Sequence, residues 1–154
     1  MHSLLKLIFF LPQDSKVFYY KFPQNYLGIS GFNFDLPNTA DIKGISANIK
    51  RKANDDNSVT DSEIYLSSDV SNTILIGDNK GLTSSWLGTS SIGVYGTSGD
   101  GWNANLTPTI INGDNFGLLI KADVFGTASD AIAYIDSVEL NVYYDNLPSY
   151  IGYS

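Results

Sequence analysis

The chain is 154 residues long and carries 9 Lys+Arg against 16 Asp+Glu, a formal net charge of −7, with one histidine, no cysteine, 14 Gly, 10 Tyr and 8 Phe. This length fits a single domain that buries ~68–70% of its unfolded surface without needing disulfides or a structural metal. The lack of cysteine excludes thiolate catalysis, zinc-thiolate sites and disulfide staples, and the acidic balance argues against nucleic acid, whose phosphates need clustered Lys and Arg.

Charged residues are only 16% of the chain, below the ~25% usual in soluble domains. With the glycine and aromatic content, this disfavours helical bundles and points to a β-rich protein. A Ser-His-Asp triad or an imidazole metal site would have to use His2, among the first residues. Glu63 and Glu139 are the only glutamates, so a glycosidase pair would fall to turn aspartates. No catalytic residue and no cofactor is expected.

The first segment, 1–12 (MHSLLKLIFFLP), holds an apolar run at 4–11 that is too short to span a bilayer, contains Lys6 and lacks a basic lead-in. It is followed by Pro12-Gln13-Asp14 instead of a small-residue cleavage site, so neither a membrane span nor a cleaved leader is expected. Two readings follow. The run is an edge strand of its own domain, or it is an arm that docks on a neighbouring subunit, since an exposed apolar edge invites aggregation. Leu4, Leu5, Leu7, Ile8, Phe9, Phe10 and Leu11 are the candidate assembly contacts.

From Val17 the apolar positions follow the two-residue period of strands. Phe18, Tyr20 and Phe22 share one face. Residues 26–36 form a second extended stretch, closed by the turn Pro37-Asn38-Thr39. Ile45, Ala47 and Ile49 lie opposite Ser46, Asn48 and Lys50, which describes a strand with one wet face. The polar connection 54–58 leads to a strand with Ile64 and Leu66 inward, and a short strand at 73–76 ends in the turn at 77–79. Residues 82–111 are the least regular and carry Trp86, Tyr95 and Trp102. Phe116, Leu118, Ile120 and Ala122 share the next face. At 133–145, Tyr134, Val138, Leu140, Val142 and Tyr144 oppose Ser137, Glu139, Asn141 and Tyr143.

About eight short strands with long loops predict an all-β, two-sheet antiparallel β-sandwich of jelly-roll or immunoglobulin-like type. The expected layout is the arm or edge strand at 1–12, the sandwich at 13–145, and a C-terminal tail at 146–154. Tyr150, Ile151 and Tyr153 of the tail are further candidate assembly contacts.

The succession 32–37 (FNFDLP), 42–53 (IKGISANIKRKA), 61–66 (DSEIYL), 76–79 (IGDN), Trp86, Tyr95-Gly96, Trp102, 112–117 (NGDNFG) and 135–144 (IDSVELNVYY) resembles a β-sandwich module of tailed-phage virion proteins, also seen in bacterial surface proteins. The resemblance covers roughly residues 17–144. It implies a non-enzymatic structural subunit used in head decoration, as a cement protein, or in a tail or fibre. The implied partners are other virion proteins and copies of itself, and the implied location is the virion. The departures are at the ends: a Trp and Asn-Pro segment usual before the first strand is replaced by the apolar run, and the module stands nearly alone instead of inside a longer chain.

The alternative is a glycan-binding adhesion module on a virion or cell surface, with Trp86, Tyr95 and Trp102 as stacking platforms for a host-surface sugar. Against this stands the reading that each ring plugs an end of the sandwich. Tyr65 and Tyr143, expected on outward faces, suit a protein interface. Asp55, Asp56, Asp61 and Asp100 are the calcium candidates, although turn geometry alone accounts for aspartates at such places. Lys50, Arg51 and Lys52 are expected at a solvated strand edge.

Overall fold

Apolar residues at alternate positions set the ladders. In β4 (Ala40–Ala53), Ile45, Ala47, Ile49 and Ala53 are buried, and in β8 (Gly117–Val124) Leu118, Ile120 and Ala122 are buried on the same period; Ser46 of β4, expected on the wet face, and Leu119 of β8 are buried on the opposite faces as well. The computed structural model describes residues 3–10, 17–19, 26–124 and 132–146. The other strands within these residues are β1 (Ser3–Phe10), β2 (Val17–Tyr19), β3 (Leu27–Ile29), β5 (Val59–Asp69), β6 (Ile74–Ile76), β7 (Ser91–Tyr95) and β9 (Ile132–Asn146). A short helix, α1 (Pro108–Ile111), is capped by the Thr107 hydroxyl accepting from the Ile110 amide.

The strands form two antiparallel sheets packed as a sandwich, one ordered β1-β9-β4-β7 with β2 also on β9, the other β3-β8-β5-β6. Phe10 lies opposite Ser137 and Val17 opposite Tyr134, so β1 and β2 share one edge of β9 and occupy one strand position. The chain then pairs from its ends inward: β1 and β2 with β9, β3 with β8, β4 with β7, β5 with β6, all antiparallel. Successive pairs alternate between the sheets, and β4·β9 and β5·β8 ladders join them within each sheet. One long hairpin wound in this way is a jelly roll, which decides between the two sandwich types.

Ser3–Phe10 is therefore the terminal strand of the first sheet, with Leu5, Leu7 and Phe9 in register with Val142, Leu140 and Val138, and Leu4, Ile8 and Phe10 with Tyr143, Glu139 and Ser137. Leu11 and the tail residues Tyr150, Ile151 and Tyr153 lie outside the described residues.

The stretch 26–36 pairs only over β3. Gly31 and Asn33 take left-handed φ values of 82° and 59°, which ends the ladder as the chain crosses to the other sheet. Phe32, Phe34 and Leu36 nonetheless stay buried. The Phe32 and Phe34 rings stack at 6.0 Å, and Phe34 meets Phe116 edge-on at 6.3 Å. Asn112 fixes the crossing: its side chain accepts from the Leu36 amide (2.8 Å) and donates to the Leu36 carbonyl (2.9 Å).

Four register shifts interrupt the ladders, at Ile42/Gly44, Lys50/Arg51, Asp61/Glu63 and Ser67/Asp69, and two of them bear on the site. In β5, Asp61 pairs Ala122 and Glu63 pairs Lys121, so Ser62 is the extra residue, and the Asp61 side chain enters the interior on the side of Ile64 and Leu66. In β9, Ile135 pairs Arg51 and Ser137 pairs Lys50, leaving Asp136 extra. The buried set accordingly runs Ala133, Ile135, Val138, Leu140, Val142. Tyr134, expected beside Val138, lies instead on the outer face, with the Lys52 ammonium 5.1 Å from its ring centroid, because a bulge breaks the two-residue period.

Candidate functional site

At one end of the sandwich Arg51 of β4, Asp61 of β5, Tyr95 of β7 and Trp86 of the β6–β7 connection converge. The Arg51 and Asp61 side chains are 6% and 0% exposed. Arg51 Nη1 donates to Asp61 Oδ1 at 2.9 Å and to the Tyr95 hydroxyl, which donates in turn to Asp61 Oδ2 at 2.9 Å. Trp86 Nε1 donates to Asp61 Oδ1 (2.8 Å) and the Leu82 amide to Oδ2 (2.9 Å). The guanidinium carbon lies 5.1 Å from the Trp86 ring centroid and 5.7 Å from that of Tyr95, a desolvated cation–π arrangement. Gly93 makes the space: a Cβ there would sit 2.7 Å from the guanidinium and from the Tyr95 hydroxyl. Burial, followed by the Asp61 charge, pushes the Tyr95 phenol far above its ordinary value, so it acts as a neutral donor.

This network holds the connection that leads into β7. Besides Leu82 and Trp86 on Asp61, the Trp86 amide donates to the Val59 carbonyl (2.7 Å), the Ala53 amide to the Leu87 carbonyl (2.8 Å), and the Gly88 amide to Asp56 Oδ1 (2.5 Å). The far end of β7 is held by Trp102, whose Nε1 donates to the Ile45 carbonyl (2.8 Å), and by the Lys80–Asp100 ion pair at 2.8 Å.

These contacts revise several expectations. Trp86, Tyr95 and Trp102 are 1%, 1% and 0% exposed, so none offers a ring face to a sugar; they are the plugs of the sandwich. The calcium candidates are not brought together. Asp61 accepts four protein donors, Asp56 holds Gly88, Asp100 pairs Lys80 and caps the Trp102 amide (2.8 Å), and the Asp55 carbonyl accepts from Ser58 (2.7 Å). Among the described residues no group of three or more His, Cys, Asp or Glu is placed to hold a metal ion. Arg51, expected at a solvated edge with Lys50 and Lys52, is a core residue. The alternation of Ile45, Ala47, Ile49 and Ala53 already places it inward. Tyr65 and Tyr143 are half-buried.

A second polar cluster lies on β5, β8 and the start of β3. Tyr26 donates to Glu63 Oε1 (2.5 Å), Lys121 pairs with Glu63 Oε2 (3.2 Å), and the Lys121 ammonium is 4.3 Å from the Tyr26 ring centroid. Burial, then the hydrogen bond to Glu63, pushes Tyr26 up to about 12. The same hydrogen bond holds Glu63 below its ordinary value, with burial opposing and Lys121 assisting. The Glu63 contribution to stability is thus complete above the ordinary carboxylate pKa of ~4.3 and lost as pH falls through the lower folded value. The Tyr26 contribution is complete below pH ~10 and lost as pH rises from there through about 12. Tyr26→Phe is expected to raise the Glu63 pKa and to lessen the fall of the thermal midpoint across that alkaline window, the part due to Tyr95 remaining. Carboxyl titration by NMR and melting curves at stepped pH read both; an unmoved Glu63 titration means that the hydrogen bond does not set it.

The exposed apolar side chains fall in one stretch of the chain. Among the described residues the exposed large hydrophobics are Ile74, Leu75, Leu82, Leu87, Ile92 and Val94, all between positions 74 and 94, and Ile92 and Val94 keep 56% of their surface. Ile92 and Val94 are hard to see in the sequence because β7 is short and centred on glycine. The available signal is charge: residues 81–99 contain no Asp, Glu, Lys or Arg. Comparison with protein-family models, curated proteins and solved structures finds no match. What the fold and the site define is a jelly roll with a buried Asp61 saturated by protein donors and a terminal strand, β7, that is apolar on its outer face and uncharged.

Proposed function

We propose that the chain is a non-enzymatic structural subunit of a bacteriophage virion, either a head decoration or cement protein or a tail or fibre component, held by other virion proteins and by copies of itself. The observation that carries this reading is the exposure of large apolar side chains within one stretch of the chain, from Ile74 to Val94, with Ile92 and Val94 side by side on the outer face of β7, since exposed apolar surface of this kind marks interaction sites. The segment-by-segment resemblance to virion sandwich modules supports it, and so by analogy does the jelly roll, an architecture common in capsid proteins. The buried polar groups support the non-enzymatic part: the most buried carboxylate, Asp61, has every acceptor position occupied by a protein donor, which leaves it no free lone pair to take a substrate proton.

Repeated in many copies, individually weak contacts add through multivalency. Quantitative mass spectrometry of purified particles from a phage encoding the chain tests this. A fixed, stoichiometric copy number per particle is expected, and recovery only in the soluble lysate overturns the proposal.

A further inference from the structure

We infer that β7 is a self-association edge, on which a second copy of this chain adds its own β7 antiparallel about a two-fold axis at Gly93. The inference deepens the assembly reading above by naming one contact between copies.

The backbone supplies the first argument. The Ile45 and Ala53 amides of β4 donate to the carbonyls of Asp100 and Leu87, which flank β7. The intervening odd-numbered residues of β4 face the same way, so the pairs Ala47–Tyr95, Ile49–Gly93 and Arg51–Ser91 are the hydrogen-bonded ones. Ile92 and Val94 therefore turn their N–H and C=O groups to the open side of β7, the last strand of its sheet among the described residues.

Sheet edges are usually blunted by shortness, charge, proline or a bulge. Among the other terminal strands, β3 and β6 have three residues each and β1 carries Lys6. By contrast β7 (SIGVY) has no charge and no proline, and its register against β4 is unbroken.

The second argument is self-complementarity. With Gly93 opposite its symmetry mate, Ile92 falls opposite Val94 of the other copy and Val94 opposite Ile92. Those are the residues with free backbone groups, so two hydrogen-bonded pairs form, four bonds in all. Gly93 takes the narrow, non-hydrogen-bonded position with its missing Cβ on the inner face beside Arg51 and Tyr95, and the β-branched side chains of Ile92 and Val94 pair across the join on the outer face.

Charge agrees with this. A chain of net charge −7 repels itself in general, but residues 81–99 are free of charge, and the nearest ions on the joined face, Lys50 and Asp136, already pair at 3.5 Å. Five strand residues a side are far fewer than the ~20–30 of a standard stable interface. The dimer is accordingly weak, with a dissociation constant on the order of micromolar or above.

Sedimentation of the full chain over a wide concentration range tests the inference. A concentration-dependent dimer is expected, and Ile92→Lys with Val94→Lys should weaken it at least tenfold without moving the thermal midpoint, since both side chains face solvent. The chain has no cysteine, so Ile92→Cys and Val94→Cys report the register: a mixture of the two should form disulfide-linked dimer faster than either alone. A monomer at every concentration, a dimer indifferent to the lysines, or equal cross-linking by Ile92→Cys alone overturns the inference. If particles contain the chain while it stays monomeric in solution, this contact fails and the virion reading stands.

Discussion

Asp61→Ala is expected to lower the free energy of unfolding by about 3–5 kcal/mol, the usual cost of removing one partner of a buried ion pair. The reason lies in what remains. Arg51 is 6% exposed, and its Nε has no hydrogen-bond partner among the described residues, so without Asp61 its charge is balanced only by the faces of Trp86 and Tyr95. The indole N–H of Trp86 and the Leu82 amide lose their acceptors as well, and buried donors without acceptors are costly. For a domain whose whole stability is about 5–15 kcal/mol, this is a large fraction.

Asp61→Asn is expected to recover only part of the loss, because an amide offers one acceptor oxygen and its NH2 would face the Leu82 N–H. The double variant Arg51→Met with Asp61→Leu should be more stable than Asp61→Ala alone, since it removes the orphaned charge. Equilibrium denaturation reads all three; a cost below about 1 kcal/mol for Asp61→Ala would show that water, not protein, satisfies Arg51.

Regular strands were legible in the sequence, and irregular ones were not. Ile45, Ala47 and Ile49, and Phe116 to Ala122, follow the two-residue period and are buried as read. The period fails where it must, at Ser62 and Asp136, since one extra residue exchanges the faces of everything beyond it. Asp61 therefore read as a turn aspartate and Tyr134 as a core residue.

Arg51 is a different case: the alternation of Ile45, Ala47 and Ile49 extends to it and puts it inward, against the general rule that arginine stays at the surface. The choice of jelly roll over immunoglobulin-like order was out of reach, because it rests on pairings such as β1 with β9 between opposite ends of the chain, about which local periodicity carries no information. Ile92 and Val94 are exposed by alternation against Gly93 and Tyr95, but that their backbone groups lie unpaired follows from β7 ending its sheet, which is also a property of topology.

Trp102→Ala is the second large effect, expected at about 3–5 kcal/mol, the range for truncating a buried aromatic. Trp102 has a left-handed φ of 57°, an unfavourable conformation for a bulky residue, so its surroundings must hold it there. Its amide donates to Asp100 Oδ1 (2.8 Å), its carbonyl accepts from the Asp78 amide (2.7 Å), and its indole donates to the Ile45 carbonyl (2.8 Å). The backbone of Trp102 thus holds the turn after β6, and its side chain holds β4 beside the end of β7. Trp102→Phe separates the contributions: it keeps most of the burial, leaves the Ile45 carbonyl unpaired, and is expected to cost about 1–3 kcal/mol.

Because the Asp100 carbonyl accepts from the Ile45 amide (3.0 Å) on the line that β7 follows along β4, loosening Trp102 should also free the last residues of β7. Hydrogen exchange of the Tyr95 amide, which faces β4, should therefore accelerate more in Trp102→Ala than exchange of Ile64 at the sandwich centre. Uniform acceleration of both would mean that Trp102 contributes to global stability alone and does not position the edge.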